Sequence, residues 1–341
     1  MRVRAIVAAA MMAMMAAGVG CGGTPTVGST ADTSDTGSTI VVETDPLAPI
    51  VPNYGDFTTR RLPLVDPDAG YAYVLPDPPA SVIGVVIVFH GTDGGVGSVR
   101  QEEWVATYNQ YVPRGIGVVI TQSADRESGR WSQEADLPLV RAILEDMDRE
   151  GLAPDGVPLG VLAFSAGGQM AGVVASVFAD EGWNLRAAAM HQSSIPITSV
   201  PTLYVAAEND DTGRTRESYQ SSGIVRQCRE AAGDCRLREG AEVALDPHRF
   251  HRVPDISLEA SEGMFEELVG RSYVDAKGVR LLDVSDRTQN AVAIDAWANA
   301  SAYPSASAVK SQLRVVWALH RFSSEFAAEE AAFFREHFLA E

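Results

Sequence analysis

The chain has 341 residues, 46% of them hydrophobic and 21% charged, which is enough apolar content for a packed core and excludes wholesale disorder. Its formal net charge of -18, from 45 acidic and 27 basic side chains, repels phosphate backbones and anionic headgroups, so nucleic acid is excluded as a partner. The length fits one large domain with extensions or two smaller ones.

In chain order, Met1, Arg2, Val3 and Arg4 make a short positive start, and Ala5 to Gly20 is apolar or small throughout. That run is too short for a bilayer span of roughly 20 residues and fits the apolar region of a secretory signal, residues 1–20. Gly18-Val19-Gly20-Cys21 resembles a bacterial lipoprotein lipobox, although Gly18 stands where that family usually has Leu. The resemblance implies that Cys21 carries lipid, with residues 21–45 as a Thr/Ser/Gly/Asp-rich flexible tether. Gly22, rather than Asp, implies the outer membrane of a Gram-negative bacterium; an ordinary secreted protein is the alternative. Contact with a membrane is then expected only through the lipid.

Residues 46–341 read as one α/β domain. Arg60 to Leu64 and Tyr71 to Leu75 flank a turn cluster and predict a hairpin. Val82 to Phe89, Ile116 to Thr121 and Leu159 to Phe164 are nearly continuous apolar runs, the pattern of strands buried on both faces. A helix is expected near 98–112. Another spans Ala135 to Glu150, where apolar residues recur at 137, 139, 140, 143, 144 and 147. Gly168 to Ala179 is a third helix, and Leu185 to Met190 and Thr202 to Ala207 are two more strands. Leu313 to Leu319 is expected as the last strand, followed by a helix from Ser324 to Phe338. Such alternation predicts a mostly parallel sheet with helices on both faces, whose chemistry collects beyond the carboxyl ends of the strands.

Three polar groups stand at those ends. His90-Gly91-Thr92 follows the first buried strand, and His90 is expected to shape that loop. Ser165 sits in Ala163-Phe-Ser-Ala-Gly-Gly168, a tight strand-to-helix turn that lifts a hydroxyl above the sheet beside helix N–H groups. Glu208-Asn-Asp-Asp211 ends the fifth strand; Asp210, then Asp211, then Glu208 is the order of preference for a carboxylate that orients a histidine. For the base, His320 directly follows the expected last strand, while His248 and His251 lie in a region without sheet character. His191, ending the fourth strand, and Trp131 are expected to line the substrate site.

Ser165, Asp210 and His320 occur in the chain order of the α/β-hydrolase triad, and the sequence resembles that superfamily over about residues 58–235 and 311–339. The Phe164-Ser-Ala-Gly-Gly-Gln-Met170 segment with the His90-Gly91 loop is similar to the secreted polyhydroxybutyrate depolymerases and feruloyl esterases, which carry a Ser-Ala-Gly-Gly-x-Met turn. The first glycine of G-x-S-x-G is replaced here by Ala163. The resemblance implies Ser165 as nucleophile, Asp210 as acid and His320 as base, with the N–H groups of Thr92 and Ala166 as oxyanion hole. It implies an extracytoplasmic serine ester hydrolase acting on a small or polymeric ester with no metal or cofactor. A serine peptidase, a thioesterase and a non-catalytic surface-binding lipoprotein are the alternatives.

Two features lie outside that frame. Residues 237–310 read as an inserted lid or subdomain before the last strand, with a helix from Leu258 to Val269 and a hairpin from Tyr273 to Leu282 turning at Lys277-Gly278. Cys228 and Cys235, seven positions apart and lacking zinc-site spacing, are expected to form a disulfide that pins a helix end.

Overall fold

The computed structural model describes residues 48–62, 70–92, 94–152, 156–197, 199–283, 287–300 and 305–340. The segments expected as signal and tether, with Cys21, lie outside them.

Eight strands form one sheet: β1 (Thr58–Arg61), β2 (Gly70–Val74), β3 (Gly84–Phe89), β4 (Ile116–Ile120), β5 (Leu159–Phe164), β6 (Leu185–His191), β7 (Thr202–Ala207) and β8 (Cys235–Gly240). Their order is β1-β2-β4-β3-β5-β6-β7-β8. The expected leading hairpin is the antiparallel β1/β2 pair. β2 also pairs antiparallel with β4, and every other pairing is parallel. This is the α/β-hydrolase arrangement expected from the sequence.

The buried strands present side chains to both faces with a period of two. Val85, Ile87 and Phe89 of β3 pack with α2 (Gln133–Arg149) and α3 (Gly167–Glu181) on one face. Val86 and Val88 pack with α1 (Glu102–Tyr111) and α9 (Ala327–Phe338) on the other. Gly160 interrupts an otherwise bulky strand because a Cβ there would come within 2.6 Å of the Phe334 ring of α9. After β7, α4 (Arg216–Ser222) and α5 (Ile224–Ala232) lead to the sheet's edge. The Cys228–Cys235 disulfide, with Cα atoms 5.9 Å apart, ties α5 to the start of β8, just past the Gly233 break.

The structure corrects two boundaries. Leu313 to Leu319 is not a strand: residues up to Val316 belong to α8 (Ala306–Val316). A short apolar run does not separate strand from helix by pattern alone, and here the run continues an amphipathic helix. The last strand is instead β8, which starts at Cys235 and runs into the segment expected as the insert. The insert therefore begins near residue 241 and follows the last strand. It holds α6 (Leu258–Gly270), a single bridge from Val274 to Arg280 that turns at Gly278, α7 (Arg287–Ala300) and α8. Its own core gathers Phe250, Met264, Leu268, Trp297, Leu313 and Trp317.

A buried carboxylate joins this insert to the sheet domain. Glu103 of α1 is 4% exposed. Its Oε1 lies 3.3 Å from Arg249 and 3.5 Å from Arg252, both in the insert, and accepts from Gln312 of α8 at 3.1 Å. Its Oε2 accepts the N–H and hydroxyl of Ser324 at 3.0 and 2.6 Å. Burial alone would raise the Glu103 pKa, but the two arginine charges and the Ser324 bonds outweigh it and hold the carboxyl down to about 2.

Removing one partner of a buried charge pair costs about 3–5 kcal/mol, so Glu103→Ala is expected to lose that much by urea unfolding. Because the folded pKa is depressed from 4.5 to about 2, the carboxylate's contribution is complete above 4.5 and fades as pH falls towards 2. Glu103→Gln should remove that acid-range component from the stability–pH curve; an unchanged curve would contradict the assignment.

Candidate active site

β5 runs into α3 through Phe164, Ser165 and Ala166, and Ser165 takes a left-handed φ of 53°. That conformation is costly for a non-glycine residue and needs surrounding structure to hold it. The Ser165 N–H donates to His191 O at 2.9 Å, and its carbonyl accepts from Gly168 N–H at 3.0 Å. Gly167 has no room for a side chain, since a Cβ would collide with the carbonyl oxygens of Phe89 and His90. Ala163, in place of the usual first glycine, is fully buried in the sheet domain.

The structure brings Ser165, His320 and Asp210 together. His320 Nδ1 lies 2.9 Å from Asp210 Oδ2, and His320 Nε2 lies 2.8 Å from Ser165 Oγ. A carboxylate only accepts, so Nδ1 carries the proton, and Nε2 is left to accept from the serine hydroxyl. Asp210 is 4% exposed. Burial would raise its pKa, but the His320 bond and charge, with two Thr212 bonds, bring it below the ordinary carboxylate value.

Neighbouring side chains missed in the sequence hold this chain of bonds. Thr212 donates its N–H and its hydroxyl to Asp210 Oδ1 at 2.7 and 2.6 Å. Gln192 Nε2 donates to the carbonyls of Leu319 and Arg321 at 3.3 and 3.0 Å, bracketing His320. Asn209 donates its N–H to Ala318 O at 3.0 Å and its side-chain amide to Trp317 O at 3.0 Å. All three follow closely on the carboxyl ends of β6 or β7, the one signal by which they were findable.

The remaining candidates divide. Thr92, Ala166 and Trp131 line a cavity of about 350 Å³ that opens on Ser165. Among the described residues, the N–H groups of Thr92 and Ala166 have no backbone acceptor. Trp131 is fixed by donating Nε1–H to His90 O at 2.8 Å. His90 shapes the loop as expected: Nδ1–H donates to Gly91 O at 2.7 Å, Nε2 accepts from Ser123 N–H at 3.4 Å, and burial lowers its pKa.

His191 is a correction. It does not line the cavity and is 1% exposed, with Nε2 at 2.7 Å from Glu330 Oε1 of α9. Strand alternation is the reason: residue 191 shares the face of Ala187 and Ala189, which looks onto α1 and α9. His248 and His251 stay within the insert, His248 on Glu262 at 2.9 Å and His251 on Ile256 O at 2.6 Å. Glu208 accepts from Glu242 N–H at 2.8 Å and does not meet the histidine. Among the described residues, Asp234, Glu336 and His337 form a group of metal-ligating type at the amino end of β8. Arg236 already bridges its two carboxylates.

No protein-family model matches the chain, and no curated protein matches it. Similar solved structures include an arylesterase (14% identity, TM-score 0.44, covering 65% of this chain and 87% of the arylesterase). A thermophilic carboxylesterase cloned from a metagenomic library is 13% identical, with TM-score 0.45 and coverages of 62% and 88%. Est1E from Butyrivibrio proteoclasticus is 12% identical, with TM-score 0.39 and coverages of 63% and 100%.

Hydrogen bonds to a charged group are worth about 1.5–3 kcal/mol. Thr212→Val is therefore expected to slow covalent labelling of Ser165 by a fluorophosphonate about 10- to 100-fold, and Thr212→Ser to restore it. Equal labelling rates for Thr212→Val and the wild type would remove Thr212 from the site.

Proposed function

We propose that this protein hydrolyses carboxylic esters through an acyl-enzyme on Ser165. The observation that carries the proposal is the continuous hydrogen-bond chain from Ser165 through His320 to Asp210, set on a left-handed serine beside a cavity. In this mechanism Ser165 Oγ attacks the ester carbonyl as its proton passes to His320 Nε2. Asp210, held ionised by burial-resistant bonds, stabilises the imidazolium that forms. The carbonyl oxygen becomes an oxyanion facing the N–H groups of Thr92 and Ala166, each donor worth about 3–4 kcal/mol in acyl transfer. His320 returns its proton to the departing alcohol, and water activated by the same imidazole then releases the acid. No step requires a metal or cofactor.

Choice of an ester over an amide or thioester rests on the resemblance of the Ser165 to Met170 turn to secreted esterases. An extracytoplasmic location, with anchorage through Cys21, belongs to the same proposal. Its support is the lipobox-like Gly18 to Cys21 segment and the disulfide, which suits an oxidising compartment.

Ser165→Ala and His320→Ala are each expected to lower turnover of p-nitrophenyl acetate by at least about 10⁴-fold, with circular dichroism unchanged. A fluorophosphonate should label the wild type on Ser165. Retained turnover in Ser165→Ala, or a folded wild type that neither labels nor turns over, would refute the proposal. A loss confined to His251→Ala would move the base into the insert.

A further inference from the structure

We propose that the cavity beside Ser165 selects small esters that carry a carboxylate, through Arg130 and Arg214; this rests on the ester-hydrolase reading above. Both arginines line the cavity, Arg130 from the loop between β4 and α2 and Arg214 from the loop between β7 and α4. Elsewhere some guanidinium groups meet carboxylates, as Arg60 does with Asp146 and Arg280 with Glu242, and others are held by neutral oxygens, as Arg114 is by Gln110, Arg229 by Cys235 O and Arg321 by Ser311. Among the described residues neither Arg130 nor Arg214 has an ion-pair partner. Asp125 feels the Arg130 charge, but its carboxylate is taken by Ser128 and the Glu127 N–H. Two guanidinium groups without an ion-pair partner among the described residues thus line one cavity in a protein with 45 acidic and 27 basic side chains.

Arg214 supplies a second, independent observation. One of its Nη groups donates to Thr212 Oγ1, yet its Nε is buried and has no partner among the described residues. A buried donor without an acceptor is unfavourable, and a turn of the Arg214 side chain towards an arriving carboxylate would relieve it. The planar guanidinium fork suits a carboxylate in particular, since two parallel N–H groups match its two oxygens. The rest of the wall agrees. Gln169, Ser193 and Ser194 offer further polar groups, while Trp131 and Ile195 offer limited apolar cover. A long aliphatic acyl chain would strand those polar groups. The volume of about 350 Å³ also lies at the lower end of the roughly 300–1,000 Å³ range of small-molecule sites.

The test compares matched esters on the full chain, with hydrolysis followed by pH-stat. Monomethyl glutarate against methyl pentanoate places the carboxylate on the acyl side; 3-acetoxypropanoate against propyl acetate places it on the alcohol side. The wild type is expected to show a kcat/KM ratio, anionic over neutral, of about tenfold or more in at least one pair. In the Arg130→Gln/Arg214→Gln double variant that ratio should fall towards one. The ratio is the readout because Arg214 also touches Thr212, and a disturbed triad would slow both members of a pair alike. Arg130→Gln alone, which leaves the Thr212 contact in place, should lower the ratio part of the way. Ratios near one for both pairs in the wild type, or a preference unchanged in the double variant, would overturn the inference while Ser165-dependent turnover of the neutral esters leaves the hydrolase reading standing. A folded wild type that turns over none of the four esters would overturn both.

Discussion

Glu103 carries a charge that water does not reach, so its ionised state depends on partners supplied by the fold. Those partners come from three places: Arg249 and Arg252 at the start of the insert, Gln312 in its last helix, and Ser324 in the loop after His320. A buried carboxylate that loses one of these groups is left with an uncompensated desolvation cost of several kcal/mol. The insert and the histidine loop are thus both tied to α1. Arg321, one residue past the histidine, adds bonds to Gln101 and to Ser311 of α8. The loop that carries His320 is consequently positioned from both sides, although a whole helical subdomain separates it from the last strand.

At the other end of the same loop, polar residues at the strand ends complete the placement. Gln192 and Asn209 hold the backbone on either side of His320, and the Phe164 ring lies 5.0 Å from the imidazole. The imidazole sits between a serine that the elbow holds in place and an aspartate to which Thr212 donates two hydrogen bonds. Each of these contacts removes a direction in which the ring can move. The ester hydrolysis proposed for Ser165 would draw on pre-organisation of this kind.

Much of this was legible along the chain because it depends on local pattern. Buried parallel strands show as apolar runs, and the Ser165 turn shows as small residues between a strand and a helix. The Cys228–Cys235 bridge was legible from spacing and the Gly233 break. His320 was singled out on a mistaken premise. It follows α8 and a short loop, not a strand, and it reaches Ser165 because Glu103, Gln192 and Asn209 bring its loop there. His191 was misplaced because the position at the end of a strand is informative only when the face is known, and its face belongs to α9.

The sequence by itself determined the alternation of strands and helices, the serine elbow and the types of residue available for chemistry. These are consequences of short-range sterics and of periodicity, which act over a few residues. Tertiary structure alone decided that the insert follows the last strand and which carboxylate meets His320. It also decided that Glu103 binds the insert and that two arginines, without an ion-pair partner among the described residues, line the cavity. Those outcomes rest on contacts between residues more than a hundred positions apart, such as Asp210 with His320 and Glu103 with Gln312. A side chain's partner at that distance is set by how whole elements pack, and no local pattern of residues records it.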